Sequence, residues 1–444
     1  MKTVNVVSLG CAKNLVDSER LLSSATRNLG LEPTVVSEKA DLIMVNTCAF
    51  LTSAAEEAIG VIMDLGRIKK PGAKMVVMGC LPARYIGAEW DDMTAGLPEV
   101  DLWLPPTKYP EFERLAAELL KLEHKTSELS FSGQNLPAGR RTQATPFFRA
   151  FLKIAEGCDN RCTYCLIPSL RGPLTSYHLD FLVNEAEQLA ADGVRELTLV
   201  AQDLTAYGAD RNKDGALLKL VRRLARIPSL DWLRLLYAYP ERLTESLVKD
   251  LADTPKVAPY LDLPFQHAAP NVLKRMGRRQ VMPPVRLVQK LRKWWPELAL
   301  RTTLIVGFPG ETEDDFSELL NFVRESSFDH LGVFKFSPEP GTLASKLKEQ
   351  VSQNLKEKRR RKVMAEQRKI SRQINRDRIG QTIKVLVEGP SAESELVMTG
   401  RGYFQAPEVD GLIYFEGEQP NPGQMVDVQL IKAFDYDLLG RVIG

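Results

Sequence analysis

The sequence predicts an α/β protein of three modules in a row: an open parallel α/β sheet, a partial (βα)6 barrel, and a small antiparallel β-barrel. Three observations predict it. Apolar runs alternate with helical stretches from residue 1 to about 104, and the same alternation returns, six strands long, from about 146 to 345. After residue 380, short strands of alternating character are separated by Gly and Pro turns. Length agrees, since 444 residues at about 150 per domain is roughly three domains. The expected boundaries are 1–115, a connector at 116–145, then 146–378 and 379–444.

In order along the chain, Val4–Leu9 reads as a strand, followed by a helix from Asn14 to Asn28 that Gly30 ends. Leu42–Asn46 is the next strand. Ser53 is the expected cap of a helix with Ala54, Ala58, Val61, Ile62 and Leu65 on one face. Met75–Met78 is a third strand, and the Pro-rich connector carries one helix near Glu111–Leu122. The central strands are expected at Leu152–Ala155, Glu196–Ala201, Trp232–Tyr237, Tyr260–Phe265, Ala299–Val306 and Leu331–Phe336, with helices between and no hairpin. Periodicity leaves open whether this barrel closes. The last module reads as strands at Thr382–Glu388, Leu396–Thr399, Gly411–Phe415 and Met425–Ala433.

Composition narrows the function. With 44% hydrophobic and 26% charged residues the chain is ordinary globular material, and 59 Lys/Arg against 57 Asp/Glu exclude a polycationic binder. Apolar stretches such as Leu42–Val45 and Leu235–Tyr239 fall far short of the ~20 residues of a membrane helix. The first ten residues lack the apolar core of a signal peptide, so a soluble cytoplasmic protein, without membrane contact, is expected. Charge is unevenly placed. Lys346–Arg378 carries 13 Lys/Arg and 4 Asp/Glu, whereas residues 380–444 carry 4 and 10.

Six cysteines stand at 11, 48, 80, 158, 162 and 165, and in such a chain they argue for metal or catalysis rather than disulfides. Cys158-Asp-Asn-Arg-Cys162-Thr-Tyr-Cys165 gathers three thiols in one loop after the first barrel strand, at a strand end where barrel chemistry sits. Three thiolates on a four-iron cluster leave one iron for a small molecule. A zinc knuckle is the alternative, but it wants a fourth ligand, and the nearest histidine is His178. Cys11, Cys48 and Cys80 each follow a strand of the first sheet, and strand ends in an open parallel sheet share one edge. Adjacent strands are about 4.8 Å apart, so these three converge on a second cluster; small apolar packing at βα turns is the plainer account.

Other residues carry weaker signals. Gln202 ends the second barrel strand and suits a polar ligand group. Gly307-Phe-Pro-Gly310-Glu311 opens a helix after the fifth strand and is either an adenosyl cradle or a tight turn. Gln266 and His267 follow the fourth strand and face the barrel mouth, where a lone His is more often structural. Lys346–Arg378 is either a nucleic-acid contact or a solvated helix face.

Together these motifs resemble the radical S-adenosylmethionine methylthiotransferases along essentially the whole chain, the last module resembling a TRAM barrel. Ser8–Glu19, Arg301–Thr303 and the closing Tyr436–Gly440 resemble the branch that acts on an aspartate of small-subunit ribosomal protein S-twelve. The tRNA-modifying branch carries Gly-Cys-Gln-x-Asn and a Ser/Thr-Asp pair at the first two places. Ala12 and Pro340 are small departures from the pattern.

The resemblance implies a transferase with two [4Fe–4S] clusters and S-adenosylmethionine as radical source and methyl donor. It implies cluster ligands at Cys158, Cys162 and Cys165 and at Cys11, Cys48 and Cys80. Gln202, Gln266, Gly307 and Glu311 are then the cofactor contacts, with no catalytic residue beyond the ligands. Expected partners are the ribosomal protein, free or in the small subunit, a reducing electron donor and a sulfur source, with the enzyme a monomer. Two rivals stand beside it: a tRNA isopentenyladenosine methylthiotransferase, and a non-catalytic iron–sulfur redox sensor that binds RNA. The acidic last module favours a basic protein over a phosphate backbone, although the basic helix before it weakens that argument.

Overall fold

The computed structural model describes residues 1–87, 90–123, 140–278, 281–417 and 419–443. Its first sheet contains β1 (Thr3–Ser8), β2 (Glu32–Pro33), β3 (Leu42–Thr47), β4 (Lys74–Gly79) and β5 (Leu102–Leu104), all parallel, in the order β2-β1-β3-β4-β5. Helices α1 (Ala12–Arg27), α2 (Thr52–Ile68), α3 (Cys80–Tyr85), α4 (Trp90–Gly96) and α5 (Phe112–Leu120) complete the module. Every residue of β3 is buried, as a central parallel strand covered on both faces requires.

Ser53 is not the cap of α2. The helix begins one residue earlier, after Leu51, which offers no side-chain oxygen. The exposed N–H and hydroxyl of Thr52 instead donate to Glu339 of the central module at 2.8 and 2.7 Å. The cap was therefore invisible locally, because it arrives from 287 residues away.

The central strands are β6 (Arg149–Lys153), β9 (Glu196–Val200), β10 (Trp232–Leu235), β11 (Val257–Asp262), β12 (Ala299–Val306) and β13 (His330–Lys335). They pair in parallel in the order β13-β12-β11-β10-β9-β6. Among the described residues β6 and β13 do not pair, so the barrel stays open. One hairpin that the sequence had not suggested, β7 (Ala155–Glu156) with β8 (Thr175–Ser176), brackets the cysteine loop. Helices α6 (Ile167–Arg171), α7 (Leu179–Ala191), α8 (Ala216–Leu224), α9 (Glu245–Ala252), α10 (Pro270–Arg275), α11 (Pro284–Trp294), α12 (Glu313–Ser326) and α13 (Gln353–Asp377) follow in order. A reciprocal capping box between Thr312 and Asp315 starts α12.

Strand alternation splits the barrel into two cores. Leu152, Leu199, Leu235, Leu261 and Leu300 pack with the outer helices. Their neighbours Phe151, Val200, Leu236, Tyr260 and Ala299 point into the lumen and cluster with the last module. The open side beside β6 is covered by α1 of the first module, whose Val16 belongs to the same lumen cluster.

The last module closes as β14 (Thr382–Ser391), β15 (Ser394–Arg401), β16 (Ile413–Glu416), β18 (Leu438–Val442) and β17 (Met425–Ala433). The fifth strand, β18, lies in a stretch from which no strand was expected. It pairs antiparallel with β17 and parallel with β16, so this join departs from an all-antiparallel barrel. The segment between β15 and β16 enters the lumen of the central barrel. There Phe404 is buried, Arg234 donates to the Tyr403 carbonyl at 2.6 Å, and Tyr260 donates to Asp410 at 2.7 Å.

Of the expected connector, residues 124–139 lie outside the described residues. No helix among the described residues is long and apolar enough to cross a membrane.

Candidate functional site

The first cysteine loop is held from both sides. The Cys158 N–H donates to Gly172 (3.2 Å), and the Leu174 N–H to Asp159 (3.0 Å). On the other flank the Thr163 N–H donates to the Met276 carbonyl (2.9 Å). Gly277, at φ +71°, makes that approach feasible: a Cβ there would stand 2.6 Å from the Arg161 carbonyl oxygen. Asn160 donates to Asp203 at 2.8 Å, tying the loop to the end of β9.

Cys158, Cys162 and Cys165 then line one cavity of about 190 Å³ with Asn160, Gln202, Tyr237, Tyr239, Gln266 and Arg278. Burial pushes the Cys165 thiol up to about 12, helped by the negative charges its two loop partners would carry. Burial also raises Cys158. Thiols raised in this way are held as thiolates by a bound metal, whose charge offsets the cost of burial. The three thiols of the loop share this one cavity, and no histidine among the described residues lines it. A multi-iron cluster, with thiolates on separate irons, needs the wider set that this cavity provides.

Gln202 stands where a ligand's polar group needs it. Its Nε2 donates to Glu156 at 2.6 Å, while its buried Oε1 has no protein partner. A buried carbonyl oxygen facing a cavity is a standing demand for a donor. Gln266, in the left-handed region at φ +69°, lines this cavity and a neighbouring one of about 270 Å³, along with Phe50 and Tyr164.

His267 does not face the mouth. It is fully buried, accepts from the Ala269 N–H at 3.0 Å, and burial lowers its pKa to about 3, the structural role anticipated for a lone histidine. Gly307 and Glu311 also lie behind the cavity. Glu311 accepts from the Gly307 and Phe308 N–H groups and from Arg359 at 3.1 Å, and burial raises its carboxyl to about 7. Their turn reaches the cysteine loop indirectly, through an edge-to-face contact of Phe308 with Tyr164.

The second triad is assembled by the sheet. Cys11 follows β1, Cys48 follows β3 and Cys80 follows β4, and these three strands are neighbours. Asn14 donates to Asn46 (3.1 Å) and to the Thr47 carbonyl (2.8 Å), and Thr47 donates to the Met78 carbonyl (2.7 Å), so one buried polar lattice spans all three turns. Gly79, at φ +95°, lets β4 turn into Cys80, since a Cβ would lie 2.6 Å from the Thr47 carbonyl oxygen. Cys48 is raised by burial and by the charges of Cys80 and Cys11. Cys11 is lowered: burial opposes ionisation, but Lys13, the Asn14 and Lys13 N–H groups and Arg171 outweigh it.

The modules that carry the two triads pack against each other here. Phe50, two residues after Cys48, lines the cavity of the first triad, and α3, which starts at Cys80, packs on α6, which follows Cys165. Arg171 joins them, donating to Asn14 (2.6 Å), Asp17 (2.8 Å) and Glu156 (3.3 Å). Glu156 in turn holds Gln202 and Lys153, and Lys153 also pairs with Asp17. Sequence reasoning missed Arg171, Glu156, Arg278 and Tyr239, because only the docked modules bring them together.

Comparison with known proteins covers every module. Residues 3–105 match the model described as Uncharacterized protein family UPF0004, residues 152–323 the Radical SAM superfamily, and residues 379–443 the TRAM domain. Ribosomal protein uS12 methylthiotransferase RimO of Pelobacter propionicus is 44% identical over 449 residues, 99% of this chain and 97% of that one. The protein of the same name from Syntrophus aciditrophicus is 45% identical over 454 residues, covering 100% and 98%. The chain belongs to the RimO methylthiotransferase family. It is therefore a radical S-adenosylmethionine transferase, and membership implies S-adenosylmethionine and a [4Fe–4S] cluster. A non-catalytic redox sensor is thereby set aside. Among solved structures, the radical S-adenosylmethionine methyltransferase TsrM of Kitasatospora setae superposes with a TM-score of 0.57 at 14% identity, over 83% of this chain and 89% of that one. That likeness is one of fold.

Proposed function

We propose that the chain methylthiolates the β-carbon of an aspartate in ribosomal protein uS12, the protein named in its relatives' description. The carrying observation is that Cys158, Cys162 and Cys165 line one cavity with an unpartnered amide oxygen, while the module bearing Cys11, Cys48 and Cys80 packs beside it through Phe50 and the α3–α6 contact. Cys158, Cys162 and Cys165 hold the cluster that binds S-adenosylmethionine. Bound there, cluster and cofactor supply a 5′-deoxyadenosyl radical able to remove hydrogen from an unactivated carbon. Cys11, Cys48 and Cys80 would hold a second [4Fe–4S] cluster, which would supply the sulfur of the methylthio group.

The chain's own residues bind, orient and shield. Gln202 offers its free oxygen to a donor on the cofactor, with Glu156 fixing the amide's orientation. Arg278, stacked 4.0 Å over Tyr239 and donating to the Pro264 carbonyl at 3.0 Å, closes the opposite wall. Gln266 forms the partition between the cofactor cavity and its 270 Å³ neighbour, which we assign to the substrate side chain. Gly307 and Glu311 serve as positioning residues, acting through Phe308 and Tyr164. Walls of this kind keep a reactive carbon radical away from water until it meets its target.

The test is anaerobic reconstitution with iron, sulfide, S-adenosylmethionine, a reductant and a uS12 loop peptide, followed by mass spectrometry. The expected product carries one methylthio group in place of one hydrogen on the aspartate. An unmodified peptide alongside a modified tRNA would overturn the substrate assignment.

A further inference from the structure

Helix α13 presents two faces of different purpose. Its buried face is polar and is spent on docking: Lys356 donates to the Phe336 carbonyl (2.8 Å), Arg359 to Glu311 (3.1 Å), Gln367 to the Phe328 carbonyl (2.6 Å) and Asn375 to the Phe434 carbonyl (3.4 Å). Those partners hold the helix on β13, α12 and the last module. The outer face nevertheless carries Lys358, Lys362, Arg368, Lys369, Arg372 and Arg376, all exposed and at helical spacing, over about 27 Å at 1.5 Å per residue. Acids near this stripe are few and shared. Glu357 serves Lys335, Arg360 and Arg361 at once, and Glu366 serves both Arg324 and Lys369. The stripe keeps surplus positive charge.

Both ends of the stripe reach functional ground. At its start Glu357 pairs at 3.2 Å with Lys335, which lines the 270 Å³ cavity. At its end Arg372 lies 3.7 Å from Asp435, and Arg368 acts electrostatically on Tyr436. Here Phe434 and Tyr436 of the last module are 42% and 44% exposed, and Lys432 sits 5.1 Å over the Phe434 ring. A row of cations ending in exposed aromatic rings matches the phosphates and unstacked bases of a single RNA strand.

From this continuity we infer that the outer face of α13, with Phe434 and Tyr436, is an RNA-binding surface leading from the last module to the active-site mouth. It engages an unpaired RNA segment lying beside the protein substrate. The biological setting, a ribosomal protein presented on its RNA, rests on the function proposed above; the RNA contact itself does not.

The experiment uses the full chain and a fluorescein-labelled, unstructured 20-nucleotide RNA in anisotropy titrations across a salt series, with poly-L-glutamate of matched charge as competitor. Two variants are compared: Arg368→Gln/Lys369→Gln/Arg372→Gln/Arg376→Gln, and Phe434→Ser/Tyr436→Ser. At 100 mM salt the quadruple variant is expected to bind at least about tenfold more weakly. Its plot of log affinity against log salt should flatten by up to about 3, at roughly 0.7 per lost phosphate contact. The double variant should lose roughly fivefold or more, with an unchanged salt slope. Methylthiolation of the free peptide should be unaltered in both, and modification of intact small subunits should fall. Unaltered RNA affinity in both variants, or equal competition by poly-glutamate, would overturn the inference. A wild type that binds RNA yet leaves the uS12 peptide unmodified would overturn the substrate and leave the surface standing.

Discussion

The two ends of the central barrel are both lined with buried charge, yet they do opposite things. At the amino ends of the strands, Glu196 accepts from Arg234 (2.7 Å) and from Arg401 (2.5 Å) with all three buried, and Phe404 fills the lumen beside them. Here Glu196 is answered by both guanidinium groups, and the lumen is filled by packed side chains. At the carboxyl ends, Asp17, Lys153, Glu156 and Arg171 form a comparable network, but it borders a cavity lined by three thiols and an unpartnered amide oxygen. The lesson is that burial of charge does not mark a site. A cavity lined by clustered thiols and an unpartnered amide oxygen does.

That contrast breaks most sharply at the cysteines. Replacing Cys158, Cys162 and Cys165 by Ala should abolish 5′-deoxyadenosine formation and remove about half the iron, with the thermal transition little changed. Changing Cys11, Cys48 and Cys80 to Ala should instead preserve 5′-deoxyadenosine and abolish methylthiolated product. Chromatography of the nucleoside and mass spectrometry of the peptide separate the two outcomes, and product persisting in the second variant would place the sulfur elsewhere.

The closed end should answer in stability rather than chemistry. Arg234→Ala leaves Glu196 short of a buried partner and should cost about 3–5 kcal/mol in urea unfolding. Enzyme that remains folded should keep its ratio of product to 5′-deoxyadenosine. The bridge at the open end should answer in both. Arg171→Ala leaves Asp17 and Glu156 to Lys153 alone, so a loss of similar size is expected together with a lower product ratio, because the bridge ties the module of the second triad to that of the first. A ratio equal to wild type would reduce Arg171 to a structural residue.

A smaller effect follows from pH. Glu196 is held down to about 2 in the fold: burial opposes its charge, but Arg401 and Arg234 prevail. A depressed carboxyl stabilises above its ordinary value near 4.5, and that contribution is lost as pH falls from there toward 2. The shift is worth about 3 kcal/mol. Glu196→Gln should flatten the acid limb of stability measured by circular dichroism, whereas Glu388→Gln, on the exposed side of Arg401, should alter it less.

Much of this architecture was legible because it is written locally. The apolar strands of both sheets, the cysteine loop and the placement of Cys11, Cys48 and Cys80 at the ends of neighbouring strands follow from period and position, and Ala299–Val306 and Met425–Ala433 fall where periodicity placed them. What was illegible is what docking creates: the cap that Glu339 lends to α2, the lumen plug at Phe404, and the Arg171 bridge. The charge argument from the acidic last module shows the same limit. Counted along the chain the module is strongly acidic, but Glu388 and Glu408 pair with Arg149, Asp410 with Arg301 and His330, Asp427 with Lys384 and Asp435 with Arg372. Its capacity to draw a basic partner is correspondingly smaller than its composition suggests, and neutralising Glu393 and Glu395 should leave association rates with uS12 nearly unchanged at low salt.

The partial barrel is completed by its neighbours, and this constrains descent as well as shape. Asp17 and Glu19 of α1 meet Lys153, Arg171 and Arg141 across a seam where all five side chains are almost wholly enclosed. A lineage that exchanged this first sheet for one of equal outline would inherit three buried cations each deprived of a carboxylate partner. Each such loss is a penalty that selection removes faster than it can repair. The modules are therefore heirlooms that pass together, and their seams should change in matched pairs or not at all.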